Sequence, residues 1–201
     1  MSNAVRKIGP WREARALLGA APMRFKAVTE RAVRQEAQLL RKAIVQGITR
    51  QAPGGDAFTP LAPLTLATRR LTGFRGTKAL IRHADLRNSV VVKHLPGATA
   101  FVGVPRTATG SDGKELVKIA EVHEFGSDPI VIPLTDAMRR FLGVLLDESG
   151  ERNNRGTARV VVTQIPPRPF LRPAFREWSK GVQARFLARI AAGMGIMGGR
   201  R

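Results

Sequence analysis

Ile165-Pro166-Pro167-Arg168-Pro169-Phe170-Leu171-Arg172-Pro173-Ala174-Phe175 is the stretch on which the reading of this chain turns. Four prolines fall within eight positions, so its backbone dihedrals are largely fixed and it offers few donors to a helix or sheet. Residues that precede proline are also pushed out of the helical region. The stretch therefore reads as a stiff, extended connector. A β-branched run, Arg159-Val160-Val161-Val162-Thr163, comes before it and predicts a strand over 158–164. After it, Phe175, Trp178, Val182, Phe186 and Ile190 form one apolar stripe, which predicts an amphipathic helix over 174–192. That helix opens near Pro173, where a first-turn proline is tolerated. Phe170, Leu171 and Phe175 are the large apolar groups expected to pin the connector into a core.

Working outward, the opposite end of the chain is also helical. Phe25, Val28, Ala32, Leu39, Leu40, Ala43, Ile44 and Ile48 recur at three- and four-residue steps and predict a long helix from Met23 to about Arg50. Arg31, Arg34, Glu36, Arg41 and Lys42 fall mainly on its other faces. Pro53-Gly54-Gly55 ends it. Residues 1–22, punctuated by Pro10 and by Gly19 to Pro22, read as a loose arm, and 193–201 as a flexible basic tail. Between the ends lie a short helix over 64–71 and a hairpin turning at Pro96-Gly97. An exposed loop over 105–114 and a segment, 116–125, readable as strand or helix follow. Ile130-Val131-Ile132 predicts a short strand, and Thr135 caps a further helix. The expected fold is α+β: one domain over 23–192, with a small, mainly antiparallel sheet flanked by a long N-terminal helix and a C-terminal amphipathic helix.

Composition narrows the function. The 201 residues carry 34 Lys+Arg against 15 Asp+Glu, a formal net charge of +19, and no cysteine. Disulfide frameworks and thiolate metal sites are excluded. The charge is split, at +8 over residues 1–50, +2 over 51–150 and +9 over 151–201. Basic ends attract polyanions or acidic protein faces. Arg168 and Arg172, on a proline-stiffened backbone, are the best candidates to meet Asp or Glu. The N-terminus lacks the apolar core of a signal peptide, and no apolar run spans a bilayer, so a cytoplasmic, non-membrane protein is expected.

Enzyme motifs are absent. His123-Glu124 is not followed by the second histidine of a zinc-protease helix, no Gly-rich loop leads into Lys-Ser/Thr, and Ser89 follows no nucleophile-elbow pattern. The three histidines, His83, His94 and His123, are scattered. No catalytic residue, metal, cofactor or small-molecule substrate is expected. DNA-reading motifs are missing too, leaving only non-specific phosphate contact.

Three stretches, in order, carry a resemblance. Ala79-Leu80-Ile81-Arg82-His83-Ala84-Asp85-Leu86-Arg87-Asn88-Ser89-Val90 resembles "pLirTGdLrnSi", Ala120 to Gly126 resembles "a.iHEFG", and Ile165 to Phe175 resembles "IPaRPFLrpaf". These are patterns of the virion morphogenesis, or tail-completion, proteins of tailed bacteriophages. Phe58-Thr59-Pro60-Leu61-Ala62-Pro63-Leu64-Thr65 is similar to the "W.PLsplT" of the Mu-type branch. The resemblance spans about residues 25–190. It departs at His83-Ala84, where the family has Thr-Gly and where alanine is a poor residue for positive φ. It departs again at 127–157, an insertion with its own helix that shorter relatives lack. The resemblance implies a structural, non-enzymatic protein of the head–tail junction (the neck), made in the bacterial cytoplasm and built into the virion. It implies tail completion or head–tail joining by a homo-oligomeric ring, hexameric in expectation. Its partners would be neck, portal-adaptor and tail proteins, with non-specific contact to packaged DNA. The alternatives are the tail terminator of the same junction or a non-specific DNA-binding protein. Its motif residues are Leu80, Asp85, Leu86, Arg87, His123, Glu124, Phe125, Gly126, Pro167, Arg168, Pro169, Phe170, Leu171, Arg172, Pro173 and Phe175.

Overall fold

The computed structural model describes residues 11–150 and 159–195. Residues 1–10, 151–158 and 196–201, which include the first part of the expected arm and most of the expected tail, lie outside the described residues. In chain order the elements are α1 (Trp11–Arg50), α2 (Pro63–Leu71), α3 (Asp85–Asn88), β1 (Val91–Leu95), β2 (Thr99–Gly103) and α4 (Leu116–Phe125). They continue with β3 (Ile130–Pro133), α5 (Asp136–Ser149), β4 (Val160–Thr163), α6 (Leu171–Ser179) and α7 (Val182–Met194). The fold is α+β, as the sequence predicts.

The long N-terminal helix is longer than expected. It begins at Trp11, so residues 11–22 are helical rather than a loose arm. The run Arg12 to Ala21 is rich in Ala, Leu, Arg and Glu, the strongest helix formers. Pro22 removes only one backbone donor from the ladder. From Val28 onward one face of α1 is covered. Leu40, Ile44 and Ile48 enter the core with Leu86, Val90, Val104, Leu116, Ala120, Phe170 and Ala174. Burial of such a cluster, at about 1.5–3 kcal/mol per large side chain, is the main term holding the domain together. Leu18, Met23 and Phe25, nearer the start of α1, stay exposed.

The sheet is divided. β1 and β2 form one antiparallel ribbon, Val91 opposite Gly103 through Leu95 opposite Thr99, closed at Pro96-Gly97 as expected. It packs on α1, and Arg41 donates from Nε to the Val90 carbonyl at 2.7 Å. β3 and β4 form a second antiparallel ribbon, with Ile130 opposite Thr163. The two ribbons are separate: α4 stands between them in the chain, and neither ribbon's edge is paired to the other. The segment after α4 is an excursion whose strand β3 pairs with β4 beyond α5. Its helix α5 is capped by Thr135, whose Oγ1 accepts from the Met138 N–H, and it ties back to α2 through Arg70–Glu148.

The segment 116–125 is a helix. The expected single C-terminal helix is two, α6 and α7, broken at Lys180-Gly181. Gly181 precedes the first turn of α7 and its carbonyl accepts from the Arg185 N–H, so a new helical ladder starts there. Of the three expected anchors, Phe170 is fully buried, Leu171 is half-buried against the core, and Phe175 is 54% exposed. The inward position on α6 is taken by Ala174, and Phe175, about 100° further round the helix, faces outward against Trp178.

Candidate functional site

The motif stretches meet at the end of α4. Helix α4 terminates at Gly126, whose φ of 86° is a conformation that disfavours any side chain. A Cβ there would also lie 3.3 Å from Cδ of Pro167. The connector lies directly over this end. Ser127 N–H donates to the Ile165 carbonyl, Ile165 N–H donates to Ser127 Oγ, and Arg168 N–H donates to the His123 carbonyl at 2.6 Å. The connector is therefore not a spacer holding a helix away from the rest. It is a strap bound along the end of α4.

Glu124 is the centre of the strap. It is 4% exposed. Oε2 accepts from the N–H groups of Phe170 (2.8 Å) and Leu171 (3.0 Å), and Oε1 from Arg172 N–H (2.9 Å) and Arg172 Nε (3.1 Å). The N-terminal amides of a helix have no partners inside it and carry the positive end of its dipole. Here they are capped by a carboxylate from another helix, 46 residues earlier in the chain. Pro169 and Pro173 lack N–H groups, so they make no demand on this cap. Arg172 closes the arrangement. Its Nη2 donates to the Glu124 carbonyl at 2.8 Å, and its guanidinium lies 4.7 Å from the Phe125 ring centroid.

Arg172 thus meets a carboxylate of its own chain, on α4 rather than on the sheet. Arg168 does not. Its Nε and Nη2 donate to the carbonyls of Thr59 and Pro60, both at 2.8 Å, tying the strap to the loop before α2. Burial holds Arg168 below the usual arginine range. His123, beside it, is pushed down to about 4 by burial and by the charge of Arg168, so it is neutral at about pH 7.

The first motif stretch lies nearby with a different role. Leu86 is in the core and Leu80 packs against it. Ala84 stands immediately before α3 with φ 64° and ψ 6°, the left-handed conformation that the family's glycine would adopt more readily. Asp85 accepts from both the N–H (2.9 Å) and Oγ (2.7 Å) of Ser111, which tethers the 105–114 loop. Those bonds hold the Asp85 carboxyl below its ordinary value. Arg87 donates from Nε to the side chain of the neighbouring Asn88.

A second buried carboxylate had no signal in the sequence beyond its helix position. Glu36, read as lying on a polar face of the long helix, is buried. It accepts from Trp178 Nε1 (3.0 Å), Arg185 Nη2 (3.0 Å) and Arg189 Nη1 (2.5 Å). Glu124 fixes the start of α6, and Glu36 fixes its end together with α7. Arg69 was likewise unforeseen: it is 9% exposed and donates to the carbonyls of Gly76 and Lys78. Among the described residues no group of His, Asp and Glu is arranged to hold a metal. No helix among them is long and apolar enough to cross a membrane.

No family model matches this chain, and no curated protein and no solved structure matches it.

Proposed function

We propose that this chain is a structural virion protein of a tailed bacteriophage. It sits at the head–tail junction and completes the tail for joining to the head as part of a homo-oligomeric ring. The observation that carries the reading is the mutual engagement of two stretches that resemble the tail-completion family, His123-Glu124-Phe125-Gly126 and Pro167-Arg168-Pro169-Phe170-Leu171-Arg172. The resemblance was drawn from residue order alone, yet the charged and glycine positions within it serve one another. They build a fixed shape rather than a reaction centre, as a subunit that must tile with its neighbours requires. The exposed apolar side chains fit the same reading. Leu18 and Met23 on α1, Val131 and Val162 on the second ribbon, and Phe175 on α6 are large groups left for neighbours to cover. A cyclic assembly needs two different faces on each subunit.

Electron microscopy of particles of the encoding phage, with this protein tagged and gold-labelled, tests the proposal. The expected result is label confined to the junction, with ring-shaped oligomers of the purified protein in negative stain. Label over the capsid surface, or none in purified particles, refutes it. The net charge of +19 favours a second reading, non-specific DNA binding. That reading requires an affinity for duplex DNA that falls steeply with salt.

A further inference from the structure

Between the strap, the loop before α2 and the turn before α3 lies a cleft of 750 Å³. Two buried arginines line it, Arg69 and Arg168, at 9% and 6% exposure. Arg82, exposed, lines the same cleft close enough for its charge to act on Arg69. Every hydrogen-bond acceptor that Arg69 and Arg168 have among the described residues is an uncharged main-chain carbonyl. No carboxylate of the described residues forms an ion pair with any of the three.

This is the reverse of what the chain does elsewhere. Its buried acids Glu36 and Glu124 are each paired with arginine. Buried charge is ordinarily paired, because desolvation without an opposite charge is costly. The two acids that line the cleft, Asp85 and Asp112, are already engaged, with Ser111 and with Lys114. His123, whose buried Nδ1 has no hydrogen-bond partner among the described residues, also lines the cleft. Each guanidinium retains N–H donors beyond those it spends on carbonyls. Leu80, Leu116 and Ile119 give the cleft an apolar wall beside the cations.

We infer that this cleft is a docking site for an extended acidic segment of another protein, with one carboxylate seated over Arg69, Arg82 and Arg168 and an adjacent aliphatic side chain on the Leu80–Leu116–Ile119 wall. The depth of the cations decides between polyanions. A duplex presents its phosphates on a wide rod that cannot enter a cleft of this size, whereas a glutamate or aspartate side chain on a single strand of chain can. The inference does not rest on the neck reading and survives its failure.

The test is fluorescence anisotropy of a rhodamine-labelled peptide of alternating glutamate and leucine, titrated with the full chain at fixed ionic strength. Saturable binding is expected, with none for the matching glutamine–leucine peptide. Arg82 has no hydrogen-bond partner among the described residues and is exposed, so Arg82→Ala leaves the fold intact. It should weaken binding about tenfold, the equivalent of one charge-assisted contact. Arg106→Ala, which removes an exposed arginine outside the cleft, should leave the affinity unchanged. Equal losses for the two variants mean that general charge attraction is being read, and overturn the site. So does the absence of saturable binding, or equal binding of the glutamine peptide. Displacement of the peptide by single-stranded DNA or inorganic phosphate, in an Arg82-dependent way, assigns the cleft to phosphate and overturns the acidic-peptide assignment.

Discussion

Replacing Glu124 by glutamine preserves the shape of the side chain and removes one of its two acceptor oxygens. In the folded chain each oxygen serves two donors: Phe170 and Leu171 N–H on one, Arg172 N–H and Nε on the other. Whichever way the amide turns, its NH₂ faces two donors. Turned toward Phe170, it strands a fully buried N–H. Turned toward Arg172, it strands a part-buried N–H and a guanidinium that is still largely hydrated. An unsatisfied buried donor costs about 1–3 kcal/mol, and hydrogen bonds to a charged group are worth about 1.5–3 kcal/mol each. The exposure of Arg172 discounts its ion pair to a minor part. The expected loss is about 3 kcal/mol for Glu124→Gln and about 3–5 kcal/mol for Glu124→Ala, which leaves every donor without an acceptor. For a chain of this size the glutamine variant should melt about 6–12 °C lower. Urea melts and calorimetry of the purified protein read this directly. Glu121→Gln, on the exposed side of the same helix, should stay within about 0.5 kcal/mol of the parent. A Glu124→Gln variant equally close to the parent refutes the carboxylate cap as the strap's anchor.

His123 should make stability depend on pH. Its folded value of about 4 lies below the unfolded value of 6.5, so between them the unfolded chain holds a proton that the folded chain lacks. Stability therefore falls as pH drops through that window, by about 3 kcal/mol in all, and levels off below it. His123→Gln should flatten the slope between urea melts at about pH 7 and about pH 4.5, and parallel slopes in the two proteins contradict the assignment. Ala84→Gly should raise stability by roughly 0.5–1 kcal/mol, because relief of the left-handed strain outweighs glycine's entropic cost. Calorimetry showing a lower melting temperature excludes that balance.

What the sequence disclosed depended on the range of the physics involved. Local signals held: the apolar period of α1 from Val28, the Pro96-Gly97 turn, the Thr135 cap and the β-branched β4 all rest on neighbours in the chain. Boundaries failed where a distant partner decides them. Helix α6 starts at Leu171 because Glu124 supplies a cap from α4, which no residue near 171 announces. The motif residues were legible as a set, and Phe170 as an anchor, but not the bond from His123-Glu124 to the connector. Arg168 and Arg172 look alike in the sequence, yet one meets a carboxylate and the other two carbonyls. Glu36 was hidden for a related reason. Periodicity marks an acid in an apolar helix as solvent-facing and cannot show that Arg185 and Arg189 arrive from the far end of the chain.

That arrival has a consequence for how the protein is made. The partners of Glu36 lie 142, 149 and 153 residues downstream. As the chain leaves the ribosome, α1 emerges before the segments it packs on; Leu86, Val90 and Val104 can cover part of its inward face early, but Glu36 has none of these three partners until α6 and α7 follow. The Glu36 carboxylate must meanwhile remain in water. Contacts of such separation slow folding, since a long loop must be ordered before they return any stability. The nascent chain thus carries a long helix with a waiting acid, and the arrival of α6 and α7 completes its burial.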